Sequence, residues 1–156
     1  MDPELILRWL HVIGACVLLG TGAGIAFFMM MAHRTGDAAL IAGTARIVVI
    51  ADLVFTATAA IAQPLTGWLL ARQSGWNLTE GWIAASLALY ALTGVCWLPV
   101  VRIQIILRNL ATEAARNGTA LPPRYHRLAR LWVALGIPAF AAVLAILWLM
   151  IARPGF

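Results

Sequence analysis

Lysine is missing altogether from this 156-residue chain, and aspartate and glutamate together number six. Eleven arginines supply all the positive charge, for a net charge of +5, and only 11% of residues are charged. A soluble domain covers its surface with roughly a quarter charged residues. A chain with less than half that share cannot face water over most of its surface. Cysteine is scarce as well: Cys16 and Cys96 each sit inside an apolar run with no CxxC or other ligand spacing. That spacing indicates neither a zinc site nor a disulfide framework, and two small buried hydrophobes are expected. There is no P-loop, no GxSxG and no HExxH. The glycines of Gly20-Thr21-Gly22-Ala23-Gly24 lie inside an apolar run with no strand before them, so they are no dinucleotide fingerprint. Low-complexity segments and a convincing internal repeat are absent too.

What the chain has in quantity is hydrocarbon: 63% apolar residues and a mean hydropathy of +0.91. Four runs, at about 5–32, 47–71, 82–107 and 131–152, exceed the ~20 residues that cross a bilayer at about 1.5 Å per residue. They must be helices, since an open sheet would leave backbone groups unpaired in lipid. The predicted fold is an all-α, integral membrane four-helix bundle forming one domain over 1–156. Asp2 and Glu4 replace the positive start of a signal peptide, so the first run is expected to stay as a span.

The arginines fall between these runs, which accounts for the high pI of 10.6 without nucleic acid; none is expected as a partner. The first and third connections share a side and hold seven arginines, Arg34, Arg46, Arg108, Arg116, Arg124, Arg127 and Arg130. The termini and second connection hold Arg8, Arg72 and Arg153. The positive-inside bias then predicts a bacterial inner-membrane protein with both termini on the periplasmic side. Trp9, Trp68, Trp76, Trp82 and Trp148 gather at the outer ends of the spans, as an aromatic belt does; Trp132 marks the inner boundary and Trp97 lies mid-span. In the 108–130 connection, helical character continues to Arg116 and Gly118 stops it. Arg124, Arg127 and Arg130 then make one basic stripe, suited to anionic lipid or, alternatively, to a docking partner.

Polar groups inside a membrane are costly to hold and are the first functional candidates. Asp52 and Arg102 lie at similar predicted depth, roughly 8–9 Å below the inner surface, on the second and third spans. Opposite sign at equal depth predicts an interhelical ion pair that fixes the register of the two spans, with a proton or substrate role as the alternative. His11 lies about two turns into the first span with no carboxylate at its depth, and Arg8 sits one turn nearer water on the same face. Two readings stand. Either His11 ligates haem iron, with Arg8 reaching a propionate and Gly20 and Gly24 admitting a flat ring, or it hydrogen-bonds a carbonyl, Ser86 or Tyr90. The stretch Gln63-Pro64-Leu65-Thr66-Gly67 lies at the same depth and is expected to line the same cavity. Met31 and His33 form a weaker soft-ligand set suited to copper, against a plain packing role. His126 is expected in solvent, and Pro64 and Pro138 are expected to kink their spans.

As a set, Leu7-Arg8-Trp9-Leu10-His11-Val12-Ile13-Gly14-Ala15, the glycines, Ala32-His33, Gln63-Pro64-Leu65-Thr66-Gly67-Trp68, Gly81-Trp82 and Met150-Ile151-Ala152-Arg153-Pro154 resemble a family of small bacterial four-span membrane proteins of unknown function. The likeness covers essentially the whole chain. More distantly the pattern is similar to the membrane protoporphyrinogen IX oxidase family and to the copper-resistance D membrane domain. The oxidase resemblance implies b-type haem on a histidine early in the first span, which His11 matches, and His33 matches a second histidine at that span's end. The lysine of that family falls at Ser86, so the haem inference carries over better than the enzymatic one. The expectation is therefore a haem b redox or electron-transfer protein. The alternatives are a non-catalytic accessory or assembly subunit of a larger membrane complex or homo-oligomer, and a copper-handling protein. If the chain is an enzyme, it is a membrane oxidoreductase.

Overall fold

The structure, a computed structural model, describes residues 2–155, and among these every regular element is helical. Four helices follow one another: α1 (Pro3–Thr35), α2 (Ala38–Gln73), α3 (Gly81–Asn117) and α4 (Pro123–Ala152). Each is long and apolar enough to cross a membrane. Large apolar side chains point outward all along them, Ile61 at 73% exposure and Ile151 at 84% among them. Hydrocarbon is the solvent that tolerates such a surface. The chain is an integral, multi-pass membrane protein.

The ends of the helices follow from local chemistry. Asp2 caps α1 by accepting from the Glu4 amide, and Asp37 caps α2 by accepting from the Ala39 and Leu40 amides at 2.8 and 3.3 Å. Gly36 and Gly118 take left-handed conformations that end α1 and α3, and Pro122-Pro123 opens α4 with a proline at its first turn. The α1–α2 connection is thus only Gly36-Asp37, far shorter than the apolar boundaries suggested. Helices continue past the hydrocarbon because caps, not hydropathy, stop them.

α2 is not uniform. Asp52–Thr56 form one turn of π-helix between Ala38–Ala51 and Ala57–Gln73. Such a turn inserts one residue, changes which faces the two halves present, and often marks a functional position. Below it, toward the arginine-rich end, the four helices close on a common core: Met29, Ile41, Ala45, Leu107 and Ala111 are sealed, with Tyr125 and Trp132 from α4 beside them. Above it, toward the termini, Ala57–Gln73 packs on α1 and stands off from α3, while α3 and α4 keep their own close pairing. Three contacts tie this terminal half together. The Tyr90 hydroxyl donates to the Ala60 carbonyl, Trp76 meets Trp82 edge to face, and Arg153 lies over both indoles at 5.8 and 5.7 Å.

The Tyr90 bond has a specific cause. In an α-helix the amide of residue 64 would donate to the carbonyl of residue 60, but residue 64 is proline and has no N–H. The Ala60 carbonyl is therefore orphaned inside a membrane helix, where an unpaired group is costly. Tyr90 replaces the missing donor from the neighbouring helix.

Candidate functional site

In the terminal half the polar groups of α1 and α2 converge on His11. Its Nδ1 lies 2.9 Å from the Thr66 hydroxyl oxygen. That hydroxyl donates its own hydrogen to the Ala62 carbonyl at 2.7 Å, one turn back along α2. Having a single hydrogen, Thr66 must accept from His11, so Nδ1 carries the imidazole proton and Nε2 presents its lone pair. No side chain among the described residues hydrogen-bonds Nε2, and it is not among the sealed polar atoms. Gln63, buried at 8% exposure, donates from Nε2 to the His11 carbonyl at 2.7 Å. Two glycines make the approach possible. A β-carbon at Gly14 would stand 2.3 Å from the Gln63 amide nitrogen, and one at Gly67 would stand 3.1 Å from His11 Cε1.

The other residues expected to join His11 do not reach it. Arg8 pairs instead with Glu4 on its own helix, and Glu4 also accepts from Ser74 at 3.2 Å. Gly20 and Gly24 lie nine and thirteen residues beyond His11, and at about 100° per residue that places them on the opposite side of α1. A methyl group at either would meet no atom within 4 Å, so they face outward from the bundle. Ser86 donates to the Trp82 carbonyl of its own helix, and Tyr90 serves Ala60, so neither partners His11.

The ion pair expected between Asp52 and Arg102 is not formed. Arg102 is exposed, and the one ion pair among the described residues is Arg8–Glu4. Equal depth was the wrong criterion, because the side of the helix decides: Arg102 points outward while Asp52 points in, at 3% exposure. Neutral donors hold the carboxyl. Trp97 Nε1 donates to Oδ1 at 3.2 Å. Trp132 Nε1, which can only donate, obliges Gln104 to turn its carbonyl oxygen toward it at 3.2 Å; the Gln104 amide then donates to Oδ2 at 3.1 Å. The chain of bonds runs from α4 through α3 to α2 and ends on Asp52.

At the arginine-rich end His33 shares a hydrogen bond with the Tyr125 hydroxyl at 2.5 Å and stacks edge to face on Tyr125 and Trp132. Met31 is 37% exposed and turned away, so the two do not form a common ligand set; the sealed methionine is Met29, one turn before His33. His126 is exposed. A groove of about 410 Å³ beside His33 is lined by Tyr125, His126, Ala129 and Arg130. No cluster of three or more His, Cys, Asp or Glu stands ready for a metal among the described residues.

Sequence reasoning had passed over Thr66 as the lock on His11, Tyr90 as the partner of a proline-orphaned carbonyl, and the set Trp97, Gln104 and Trp132. A signal existed for each. Thr66 lies three residues from a buried glutamine, the carbonyl four residues before any helical proline lacks a donor, and Gln104 is an uncharged polar residue deep in a span.

No curated protein and no solved structure matches the chain. The sequence profile of one family, described as predicted integral membrane protein (DUF2269), matches residues 5–154, and the chain belongs to that family.

Proposed function

We propose that this protein binds one b-type haem in its terminal half, with Nε2 of His11 as iron ligand, and serves in electron transfer or in oxidation of a membrane-soluble substrate. The observation that carries this reading is the Thr66 contact, which fixes the proton on Nδ1 and leaves Nε2 free to ligate. Support comes also from the packing that holds the ring. Gly14 and Gly67 let Gln63 and the His11 ring lie close against the neighbouring backbone, and Ala57–Gln73 stands off from α3. The resemblance of the first span to the oxidase family points the same way, while Ser86 in place of that family's lysine weighs against its particular reaction.

When bound, haem supplies one-electron chemistry. The residues of the chain bind and orient. Thr66 sets the tautomer and the plane of His11, Gln63 fixes the α1 backbone at that level, and Arg8 is the cation within one turn, available to a propionate on release from Glu4. Among the described residues His11 is the one side chain that would ligate the iron, so any further ligand would come from a small molecule or a partner. The arginine asymmetry supports an inner-membrane location with the termini on the periplasmic side.

The test is the absorption spectrum of protein purified in mild detergent, before and after titration with haem. A stoichiometric Soret band that is lost in His11→Ala and shifted in Thr66→Val is expected. A colourless protein that takes up no haem overturns the reading; if it also co-purifies with a stoichiometric membrane partner, the accessory-subunit alternative takes its place. Copper lost on replacing His33 would favour metal handling.

A further inference from the structure

The buried carboxyl of Asp52 remains unexplained by a site centred on His11. It begins the π-turn of α2, about 21 Å along that helix from its start at Ala38. It is the one acidic side chain among the described residues that is buried; Asp2, Asp37, Glu80 and Glu113 are exposed, and Glu4 is half-buried at the terminal end. No cation faces it. From α1, no charged residue lies between Arg8 and Arg34, and the titratable Cys16 and His33 stand well to either side along that helix. α3 presents Trp97 and Gln104, with Cys96 buried beside Trp97 and Arg102 turned outward. α4 presents Trp132, behind which lies the His33–Tyr125 pair.

A merely structural carboxyl in lipid is paired with a cation or replaced by an amide. Here both oxygens accept from neutral N–H groups, which favours the ionised form, while burial favours the neutral form. Neither influence is backed by a fixed countercharge. The two oxygens are already occupied by donors, so a bound metal ion has no free face. A proton has one. Thr56, four residues on in the same π-turn, is 8% exposed, and its hydroxyl is buried with no hydrogen-bond partner. A hydroxyl can donate to the carboxylate or accept from a carboxylic O–H, and the π-turn is the distortion that sets both side chains on the inward face.

We propose that Asp52 is an intramembrane proton-binding site, its anion held by Trp97 and Gln104, with the Thr56 hydroxyl able to serve either protonation state. One proton adds to one carboxylate oxygen with no other bond made or broken, and it leaves by the same step.

The experiment is pH-dependent infrared spectroscopy of the full chain, labelled with ¹³C at the aspartate carboxyl, in phosphatidylcholine bilayers. The chain has three aspartates, and Asp2 and Asp37 are exposed at helix caps. The expected result is an isotope-shifted carboxylic C=O band at the high frequency of a buried acid, rising as pH falls and reversibly lost as it rises. Asp52→Asn removes it. Trp97→Phe deletes one donor to the anion and moves the midpoint up by about one pH unit, the tenfold change in proton affinity that one hydrogen bond to a charged group carries. Thr56→Val deletes the one hydroxyl partner of the carboxyl and shifts the frequency of the band. Should Asp52→Asn fail to fold, the Trp97 and Thr56 variants make the assignment. A buried-acid band invariant over the range in which the protein stays folded, or no such band at any pH, overturns the proposal.

Discussion

At the arginine-rich end, Met29, Ile41, Ala45, Leu107 and Ala111 are fully sealed, and all four helices contribute to one apolar core. In the terminal half, Ala57–Gln73 packs mainly on α1 and meets α3 through the Tyr90–Ala60 bond, and the inward-facing groups there include Gln63, Thr66, His11 and Ser86. The first region coheres by close packing and carries little chemistry beyond His33 and the Trp132–Gln104–Asp52 chain at its border with the second. The second is held by a few directed bonds, each with an identifiable donor and acceptor. The difference follows from the solvent. Lipid is as apolar as leucine, so helices associate in it through packing contacts and hydrogen bonds rather than by expulsion of water. A region that gives up close packing must therefore replace it with polar contacts, and those contacts are where ligand chemistry becomes possible.

The comparison breaks first if truncation costs the same in both regions. Leu107→Ala, at a fully sealed position, should cost about 2 kcal/mol. That is the lower end of the usual range, because the hydrocarbon transfer term nearly cancels and the cavity term remains. Leu149→Ala, buried at 7% exposure near the end of α4, should cost under about 1 kcal/mol, because the looser half can relax around the gap. Unfolding in mixed micelles with increasing SDS measures both. Equal losses would mean that the terminal half is packed as tightly as the other.

A smaller effect sharpens the polar side of the contrast. Tyr90→Phe leaves the Ala60 carbonyl without a donor and should cost about 1–2 kcal/mol. Pro64→Ala restores the helical amide that proline removed, and in that background Tyr90→Phe should cost almost nothing. The double-mutant cycle in the same assay reads the coupling directly. Additive losses would show that the hydroxyl acts by packing alone.

Much of the fold was legible in the sequence because lipid imposes so few solutions: runs of apolar residues long enough to span, bounded by arginine and tryptophan, leave only helices. The candidate site was legible in part. His11 and the stretch from Gln63 to Gly67 stood out as polar residues where polarity is costly, and the structure brings them together. What failed was azimuth. Arg102 shares the depth of Asp52 but not its side, and Gly20 and Gly24 lie behind His11 rather than beside it. Depth along a helix can be counted from residue numbers, whereas the direction a side chain faces depends on packing and, in α2, on a π-turn that rotates everything beyond it. The start of α2 was missed for a different reason. Asp37 is a cap signal that lies outside the apolar run of its span, whereas Gly118 was legible as the stop of the third helix and does end it.

The smallest effect on stability bears most directly on function. Thr66→Val keeps the shape of the side chain and removes the acceptor for the His11 Nδ1 proton. One interhelical hydrogen bond in a membrane is worth about 0.6 kcal/mol, so the unfolding midpoint should hardly move. The imidazole should respond far more. Without Thr66, no group holds the proton on Nδ1, and the two tautomers come closer to equal population. Nitrogen-15 chemical shifts of His11 in the detergent-solubilised protein distinguish them. Thr66→Ser, which restores the hydroxyl, should return the native pattern. A stability loss as large as that of Leu107→Ala, with the tautomer unchanged, would make Thr66 a packing residue and put the terminal half under the same principle as the core. A tautomer shift with little loss of stability would establish that the polar contacts of this half exist to prepare a nitrogen lone pair, at little benefit to the fold.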